Sequence, residues 1–571
     1  MRGEHFDAVV VGSGFGGSVV AYRLAEAGLR VCLLERGKAY PPGSFPRSPY
    51  RMRENFWDPS EGLYGLYDFW SFHRIHALVA SGLGGGSLIY ANVLLRKDER
   101  WFVKEDLGGG GLEYWPVTRS DLDPHYDRVE RMLRPQRYPF RKEPYSGTSK
   151  TRAFQEASRE IGLEPFFPGL AITFAPAEGE EPVPGEPIRE KHKNLHGRTR
   201  QTCRLCGECD VGCNFGSKNT LDFNYLSGAK RLGADLRTGC EVVAFEPLGG
   251  EAGGYAVRYR QHPIAPDAEG SEGPRTLTAD RLILSAGSLG STYLLLRNRS
   301  AFPRVSKRLG TRFCGNGDYL TLAVGATREK DGRRVPRVID PGYGPVITIA
   351  ARGADEADGG EGRGFYLEDA GFPQHLAWML QVFGLPGPLW RLVKRRFVWD
   401  WFGESADPRL SVELSDVLGN TGLSAGVLPL LGMGRDLPNG RMKLRSGRLD
   451  IDWKHRKSGA HFDRVREASK GISDALGARF VHDPLRFLGR IVTDLNRLIT
   501  VHPLGGCPMG RDGREGVVDP FGEVFGYPGL YVADGSVMPG PVGANPSLTI
   551  AALADRFADR MIERSNGGAS K

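Results

Sequence analysis

Residues 6–17 read FDAVVVGSGFGG, an apolar run followed at once by a glycine-rich turn. The run 6–11 predicts a buried parallel strand, residues 15–28 predict a helix, and RVCLLE at 30–35 predicts a second strand. The turn matches the G-x-G-x-x-G pattern, which lets backbone approach a pyrophosphate at the N-terminus of a helix. Residues 6–35 therefore predict a β-α-β unit that binds a dinucleotide.

An acidic residue closes the second strand of this unit. Glu35 lies 18 residues after Gly17, where it can accept hydrogen bonds from ribose hydroxyls and repel a 2′-phosphate. A glycine motif alone also fits a plain tight turn. Here the motif lies between a predicted strand and a predicted helix, and an acidic residue ends the next strand, so the pattern favours a binding site. The residues that we expect to contact the cofactor here are Gly12, Ser13, Gly14, Phe15, Gly16, Gly17 and Glu35. The unit by itself does not separate FAD from NAD.

Composition narrows the class of protein. Glycine supplies 78 of the 571 residues, against a share of about 7% in ordinary proteins. No Gly-X-Y period runs through the chain, and 40% hydrophobic residues suffice to bury a core, so collagen and disorder are excluded. A chain of this length exceeds what one hydrophobic core usually fills, so we expect at least two domains.

The charge balance argues against nucleic acid as a partner. The net charge of +8 is the difference between 76 basic and 68 acidic residues, and the two signs are interspersed without a long basic block. The chain shows neither a secretory signal nor an apolar run long enough to span a bilayer. We therefore expect a cytoplasmic enzyme.

Further glycine-rich and polar segments follow in a characteristic order. They are SGLGGGSLIYAN at 81–92, SAGSLGS at 285–291, HPLGGC at 502–507, DGS at 534–536 and GANP at 543–546. In this order they resemble the glucose–methanol–choline (GMC) oxidoreductases and, within that family, the cholesterol oxidase branch. The resemblance covers the N-terminal hundred residues, 281–320 and 497–565. It implies FAD rather than NAD, and we expect the flavin to be bound non-covalently.

The resemblance also implies the architecture, an α/β fold in which a Rossmann-like FAD-binding domain of GMC type carries an inserted α+β substrate-binding domain. The boundaries that we expect are 1–110, 200–320 and 495–571 for the discontinuous FAD-binding domain, 321–494 for the substrate-binding domain, and 111–199 for a partly irregular lid or linker. Further expected FAD contacts are Gly82, Gly84, Gly85, Gly86, Ser87, Asn92, Val242, Ala286, Gly287, Asp534, Gly535, Asn545 and Pro546.

His502 and Asn545 are the expected catalytic residues. Histidine suits a general base because its ordinary pKa, about 6.5, lies close to working pH. The resemblance implies that His502 accepts the hydroxyl proton while flavin N5 accepts a hydride, and that Asn545 orients the substrate oxygen. Asn followed by Pro also suits the start of a helix, and both roles can hold. In sterol-oxidising relatives a glutamate assists isomerisation; Glu368 is a candidate, although the sequence favours a structural role for it.

The resemblance implies that the substrate is a bulky apolar secondary alcohol, a 3β-hydroxysteroid such as cholesterol, with oxygen or a redox carrier as electron acceptor. Three alternatives stay open. One is a dehydrogenase for another apolar or aromatic alcohol that passes electrons through a cysteine-ligated cluster. The others are a flavin lyase or decarboxylase on the same fold and an electron-transfer module without a substrate of its own.

Four of the eight cysteines lie within eleven residues, as Cys203-x2-Cys206-x2-Cys209-x3-Cys213. This spacing matches the bacterial ferredoxin run, except that Asn214 stands where proline usually follows. The spacing leaves three interpretations open: one iron–sulfur cluster on three or four of these residues, a zinc ion, or thiols without metal, including a disulfide pair. An iron–sulfur cluster favours a dehydrogenase, because it carries electrons singly.

A basic aromatic stretch lies at 378–401. Its tryptophans and basic residues are Trp378, Trp390, Trp399, Trp401, Arg391, Lys394, Arg395 and Arg396. Such a stretch suits peripheral contact with a membrane surface. Internal packing of the tryptophans within the substrate-binding domain is the alternative, and the sequence favours it.

Overall fold

The fold is that of a computed structural model, which describes residues 4–105, 111–249, 253–264, 273–355, 363–374, 425–482 and 498–568. Within these ranges the α-helices are α1 Phe15–Glu26, α2 Arg119–Leu133, α3 Ser149–Glu160, α4 Tyr225–Arg231, α5 Gly287–Arg297, α6 Gly459–Ala475 and α7 Ser547–Gly568. The strands are β1 His5–Val11, β2 Val31–Leu34, β3 Trp57–Asp58, β4 Leu63–Tyr64, β5 Tyr67–Ser71, β6 Ile75–Ala80, β7 Val93–Leu94, β8 Val103–Glu105, β9 Leu112–Tyr114, β10 Gln136–Arg137, β11 Pro165–Phe166, β12 Gly169–Leu170, β13 Asp235–Arg237, β14 Cys240–Pro247, β15 Tyr255–Gln261, β16 Arg275–Leu284, β17 Thr311–Cys314, β18 Tyr319–Val324, β19 Thr327–Lys330, β20 Arg333–Pro336, β21 Ala350–Gly353, β22 Phe365–Asp369, β23 Val427–Gly434, β24 Arg441–Arg445, β25 Arg448–Asp452, β26 Arg479–Val481, β27 Leu498–Thr500, β28 Leu504–Gly506 and β29 Leu530–Val532.

The first large sheet grows from the predicted N-terminal unit. β1 lies between β2 and β16, parallel to both, and β13 extends the sheet beyond β2. Beyond β16 the sheet continues with β29 in parallel and with β15 and β14 in antiparallel pairing. All four side chains of β2 are buried, as expected where both faces of a parallel sheet are covered. The sheet is a Rossmann-like layer.

The C-terminal helix packs on this layer. α7 contacts both α1 and α2, and α1 also contacts α4. Arg23 of α1 forms ion pairs with Asp555 and Asp559 of α7, the latter at 2.7 Å. The first and last helices are therefore held side by side.

A second large sheet is antiparallel, with strand order β11-β21-β22-β23-β18-β26. Helices α3 and α6 pack against it and against each other. Phe154 of α3, Leu367 of β22, and Val465 and Ile472 of α6 are buried in the shared core. The predicted fold class is therefore confirmed, a Rossmann-like layer with an α+β layer beside it.

The segment 111–199, expected to be a partly irregular lid or linker, contains two well-formed helices. α2 begins with a capping box between Thr118 and Asp121 and buries Leu122 and Tyr126 in the core of the first sheet. α3 instead joins the second sheet. The two helices thus belong to different layers, and the domain boundaries themselves stay a prediction.

The basic aromatic stretch 378–401 lies outside the described residues, so its contact with a membrane surface stays a prediction. Among the helices of the described ranges, none has the length and apolar character needed to cross a bilayer.

Candidate active site

The first glycine loop shows the close backbone approaches that its motif predicts. A Cβ on Gly12, where φ is +96°, would lie 2.4 Å from the carbonyl oxygen of Ser285. A Cβ on Gly16 would lie 1.5 Å from the carbonyl oxygen of Ala533. A Cβ on Gly14 would meet nothing within 4 Å. Open space therefore lies at the N-terminus of α1, where a helix favours an anion such as a pyrophosphate.

Ser13 joins the first glycine loop to the second. Its backbone N–H and its hydroxyl lie 3.0 and 2.6 Å from Oε2 of Glu35, and its Oγ accepts the N–H of Gly84 at 2.9 Å. A Cβ on Gly85 would lie only 2.6 Å from Cα of Gly14. The two glycine loops and the acidic residue at the end of β2 are thus brought together.

Asp534 joins two further predicted segments. Its buried carboxylate accepts hydrogen bonds from the N–H of Gly287 at 3.0 Å and the hydroxyl of Ser291 at 2.5 Å. It also accepts the N–H and hydroxyl of Ser536 at 2.8 and 2.6 Å. Burial raises the pKa of Asp534, and these hydrogen bonds oppose the shift. The carboxylate therefore fixes the start of α5 against the segment that follows β29.

The other predicted cofactor residues lie in or next to the same loops, with one exception. Those in the loops are Phe15, Gly17, Gly82, Gly86, Ser87, Ala286, Gly535 and Pro546. Val242 is the exception: it lies in β14 at the edge of the first sheet, at a β-bulge between Val242 and Ala244.

Asn92, after the second glycine loop, has the character of a ligand-binding residue. Its side chain is fully buried, and among the described residues neither its Oδ1 nor its Nδ2 has a hydrogen-bond partner. The hydroxyl of Tyr90 is buried without a partner in the same way. Most buried polar groups are paired, so these atoms suit the polar groups of a ligand. Together with the space at Gly14 and the carboxylate of Glu35, they fit FAD.

His502 lies just after β27, and a buried carboxylate holds its ring. Nδ1 of His502 is 2.8 Å from Oδ1 of Asp318, whose side chain is 2% exposed. The other oxygen of Asp318 accepts the hydroxyl of Thr500 at 2.9 Å and the N–H of Val501 at 3.0 Å. A carboxylate at Nδ1 favours the tautomer that carries its proton there, which leaves Nε2 as a proton acceptor.

Asn316 fixes the segment that leads to Asn545. Its Oδ1 accepts the N–H of Gly543 at 2.8 Å, and its Nδ2 donates to the carbonyl of Ala544 at 2.9 Å. Asp318, which holds the histidine, follows two residues later in the chain. A single short loop therefore anchors the segments that carry both predicted catalytic residues.

Glu368 lies beside Asn545. Nδ2 of Asn545 donates to Oε2 of Glu368 over 3.4 Å, while Oε1 of Glu368 and Oδ1 of Asn545 have no partner among the described residues. Burial raises the pKa of Glu368 to about 8; the hydrogen bond from Asn545 opposes the shift, and the charges of Asp369 and Asp318 add to it. The structure thus brings this glutamate to the candidate site, a placement that the sequence did not establish.

The sequence does not by itself point to Asn316 or Asp318 as residues of the site. They lie in CGNGD, residues 314–318, where a glycine stands on each side of Asn316. That pattern predicts a tight turn, and it was the one local sign that polar side chains are held in place there.

The four clustered cysteines line one pocket. None of the eight cysteines, all of which lie within the described residues, forms a disulfide, so the structure does not contain the disulfide pair that the sequence left open.

Comparisons with known proteins agree with this architecture. A GMC oxidoreductase family model matches residues 436–554, and an NAD(P)-binding Rossmann-like domain model matches residues 10–41. A cholesterol oxidase of Mycobacterium tuberculosis is 30% identical over 97% of this chain and 90% of its own length. A cholesterol oxidase of Acinetobacter baumannii is 28% identical over 96% and 93%.

A solved structure supports the fold. The crystal structure of pyridoxine 4-oxidase from Mesorbium loti superposes with a TM-score of 0.52 at 18% identity, covering 97% of this chain and 98% of the other. The predicted family is thus confirmed by near full-length relatives at up to 30% identity. The chain belongs to the GMC oxidoreductase family, whose members use FAD to oxidise the CH–OH groups of alcohols.

Proposed function

We propose that the protein oxidises a bulky apolar secondary alcohol, a 3β-hydroxysteroid such as cholesterol, to the ketone. The observation that carries this proposal is the site in which one loop, 315–318, anchors both His502 and the segment of Asn545. Two relatives named cholesterol oxidase, which span most of both chains, support the steroid as substrate.

His502 is the proposed base. Because Asp318 accepts from Nδ1 at 2.8 Å, Nε2 has the lone pair that takes the proton of the substrate hydroxyl. The carboxylate of Asp318 then stabilises the positive charge that develops on the ring. FAD, held at the N-terminus of α1 and by Asn92, would supply the hydride acceptor, so that the alcohol loses one hydride and one proton to become the ketone.

Asn545 is the proposed group that orients the substrate oxygen. Its position is set by the hydrogen bonds that Asn316 makes to Gly543 and Ala544. An amide held in this way donates to the substrate oxygen without a further loss of side-chain freedom on binding.

The FAD-binding residues are proposed as a set. The N-terminus of α1 and the space at Gly14 receive the pyrophosphate, and Asn92 supplies hydrogen bonds to the cofactor. Glu35 already accepts from Ser13 and Gly37, but a carboxylate has about four lone-pair sites, so it can also accept from a ribose hydroxyl. The remaining proposed residues are Gly12, Phe15, Gly16, Gly17, Gly82, Gly84, Gly85, Gly86, Ser87, Val242, Ala286, Gly287, Asp534, Gly535, Asn545 and Pro546.

Glu368 is proposed for a second step, isomerisation of the ketone. A new carbonyl group acidifies the adjacent CH₂, and a carboxylate can remove a proton there and return it to another carbon, moving a double bond into conjugation. The pKa of about 8 gives Glu368 both protonation states near neutral pH.

Rapid-mixing kinetics test the proposed roles. We expect His502→Ala and Asn545→Ala to lower the rate constant of anaerobic flavin reduction by a 3β-hydroxysteroid, by about 10²–10⁴-fold for the base, while the FAD content stays unchanged. Full activity in either variant contradicts the assignment. A lyase on the same fold would show no flavin reduction by any alcohol.

A further inference from the structure

The cysteine tetrad, Cys203, Cys206, Cys209 and Cys213, surrounds one pocket that the proposed alcohol oxidation does not use. The sulfur of Cys213 accepts a hydrogen bond from the backbone N–H of Ser217 at 3.3 Å. N–H groups that converge on a concavity favour anions and are found at many iron–sulfur sites.

The backbone of the tetrad turns repeatedly around the pocket. Leu205, Gly207, Gly212 and Gly216 all have left-handed φ, between 59° and 83°. Three of them are glycines, for which this conformation carries no steric cost. Leucine seldom adopts a positive φ. The loop that carries Cys203 and Cys206 therefore forces this conformation on Leu205.

A buried cation lies next to the tetrad. The Lys218 side chain is 1% exposed, and its ammonium donates to the carbonyls of Leu88 at 3.1 Å, Tyr90 at 2.8 Å and Cys209 at 2.9 Å. Within the described ranges no carboxylate lies within ion-pair distance of it. A buried charge is costly unless an opposite charge lies near it, so Lys218 favours an anionic centre at the cysteines.

The spacing of the sulfurs distinguishes the metals. A tetrahedral zinc ion, with Zn–S bonds of about 2.3 Å, holds its sulfurs about 3.8 Å apart. In the part of the chain that the structure describes, no three of the tetrad sulfurs lie within 4.8 Å of one another. A cubane cluster binds each thiolate through a different iron and so spreads the sulfurs farther. This spacing does not fit a single zinc ion bound by three or four of the sulfurs.

We propose that the cysteine tetrad holds one iron–sulfur cluster, which removes electrons from the reduced flavin one at a time. Lys218 connects the tetrad to the second glycine loop, since its ammonium bonds carbonyls on both sides. Oxidation of one alcohol molecule releases two electrons and two protons. Each electron in turn reduces one ferric iron of the cluster to ferrous, then passes to a one-electron acceptor such as a ferric haem protein, and the two protons leave to water.

Metal analysis tests the cluster directly. The full-length protein, produced with ample iron and purified without oxygen, is assayed for iron, acid-labile sulfide, zinc and FAD. We expect iron and sulfide in near-equal amounts, and after dithionite reduction an electron paramagnetic resonance signal distinct from that of flavin. Protein that contains FAD but no iron and sulfide, or that contains zinc in their place, overturns the proposal.

A pair of variants assigns the cluster to the tetrad. Cys206→Ala is expected to lower the iron content and change the resonance spectrum while FAD is retained. Cys240→Ala is the matched control, because Cys240 is a buried thiol outside the tetrad that donates to Gln261 Oε1 at 3.1 Å; it should keep both signals. If Cys206→Ala keeps the native iron content and resonance spectrum, the assignment of the cluster to the tetrad is overturned.

Electron transfer by the cluster is measured separately. This role rests on the proposed function, because alcohol oxidation supplies the electrons. With ferricyanide as acceptor, Cys206→Ala should lose ferricyanide reduction while the rate of flavin reduction by the alcohol stays unchanged. Equal ferricyanide reduction in Cys206→Ala and the native protein overturns this role. Failure of the alcohol to reduce the flavin would instead contradict the proposed function, and the metal analysis does not depend on it.

Discussion

Replacement of Asp318 by asparagine tests how the proposed base is positioned. Asp318→Asn keeps the shape of the side chain and removes its negative charge. Its Oδ1 lies 2.8 Å from Nδ1 of His502, and its other oxygen accepts from Thr500, Val501 and the His502 N–H. An amide can still accept some of these hydrogen bonds, so we expect the loop to keep its conformation.

The magnitude follows from the hydrogen bond between carboxylate and imidazole. A hydrogen bond to a charged group contributes about 1.5–3 kcal/mol, and each 1.36 kcal/mol of barrier corresponds to about a tenfold change in rate. Because the ring becomes positive as it takes the proton, this stabilisation applies to the transition state. We therefore expect the rate constant of flavin reduction to fall by roughly 10- to 150-fold.

Anaerobic rapid mixing of FAD-loaded protein with a 3β-hydroxysteroid measures this rate constant as loss of oxidised flavin absorbance. The maximal rate should fall while the concentration of steroid for half-maximal rate stays nearly constant, because Asp318 acts through the histidine and not on the substrate. A structural defect would instead change the FAD content or the half-saturating concentration.

Asp555→Asn is the matched control. Its carboxylate also holds a histidine, with 2.7 Å between Asp555 Oδ2 and Nδ1 of His125, but this pair lies between α2 and α7 and not in the proposed site. The control should keep the native rate constant per bound flavin. If Asp318→Asn also keeps it within about twofold, the proposed positioning of His502 is refuted.

Three further predictions concern the cofactor loop and the buried polar groups. Gly16→Ala should lower the thermal midpoint, because its Cβ would lie 1.5 Å from a carbonyl oxygen and overpacking costs about 1–3 kcal/mol. Gly14→Ala, whose Cβ would meet nothing within 4 Å, should keep the stability of the apoprotein and lose FAD; an FAD content equal to that of the native protein would contradict this. The native protein should lose stability as pH rises from about 4.5 to about 8, because the raised pKa of Glu368 favours the protonated carboxyl in the folded state and the ionised one in the unfolded state. Glu368→Gln cannot ionise, so its thermal midpoint should rise relative to that of the native protein over this range. A difference in midpoint that is constant over this range would be evidence against the buried carboxyl. Asn316→Ala leaves a backbone donor and acceptor unpaired and should cost about 1–3 kcal/mol in unfolding free energy, an effect that denaturant titration measures and that an unchanged midpoint would exclude.

The sequence predicted the parts of the site that depend on neighbours in the chain. The strand, glycine turn and helix at residues 6–26 are local patterns, and the structure has β1 and α1 there. The turn needs glycine for close backbone contacts, so the residue type itself carries the signal. The spacing of the four clustered cysteines likewise predicted that they lie close together, and in the structure they line one pocket.

Contacts between distant segments could not be predicted in this way. Asp318 and His502 are 184 residues apart, and Glu368 and Asn545 are 177 apart. Each pairing depends on how the second sheet packs beside the first, which no local pattern encodes. The helices α2 and α3 illustrate the same limit, because the segment 111–199 joins two layers through long-range packing of side chains such as Tyr126 and Phe154.

The proposed site oxidises a secondary alcohol with His502 as the base. Anaerobic addition of a 3β-hydroxysteroid to the FAD-loaded protein, followed by flavin absorbance and analysis of the steroid, measures this directly. We predict that the flavin is reduced and that one ketosteroid forms for each flavin, about 10²–10⁴ times more slowly in His502→Ala. Flavin that stays oxidised with the steroid and with other apolar secondary alcohols would contradict the claim.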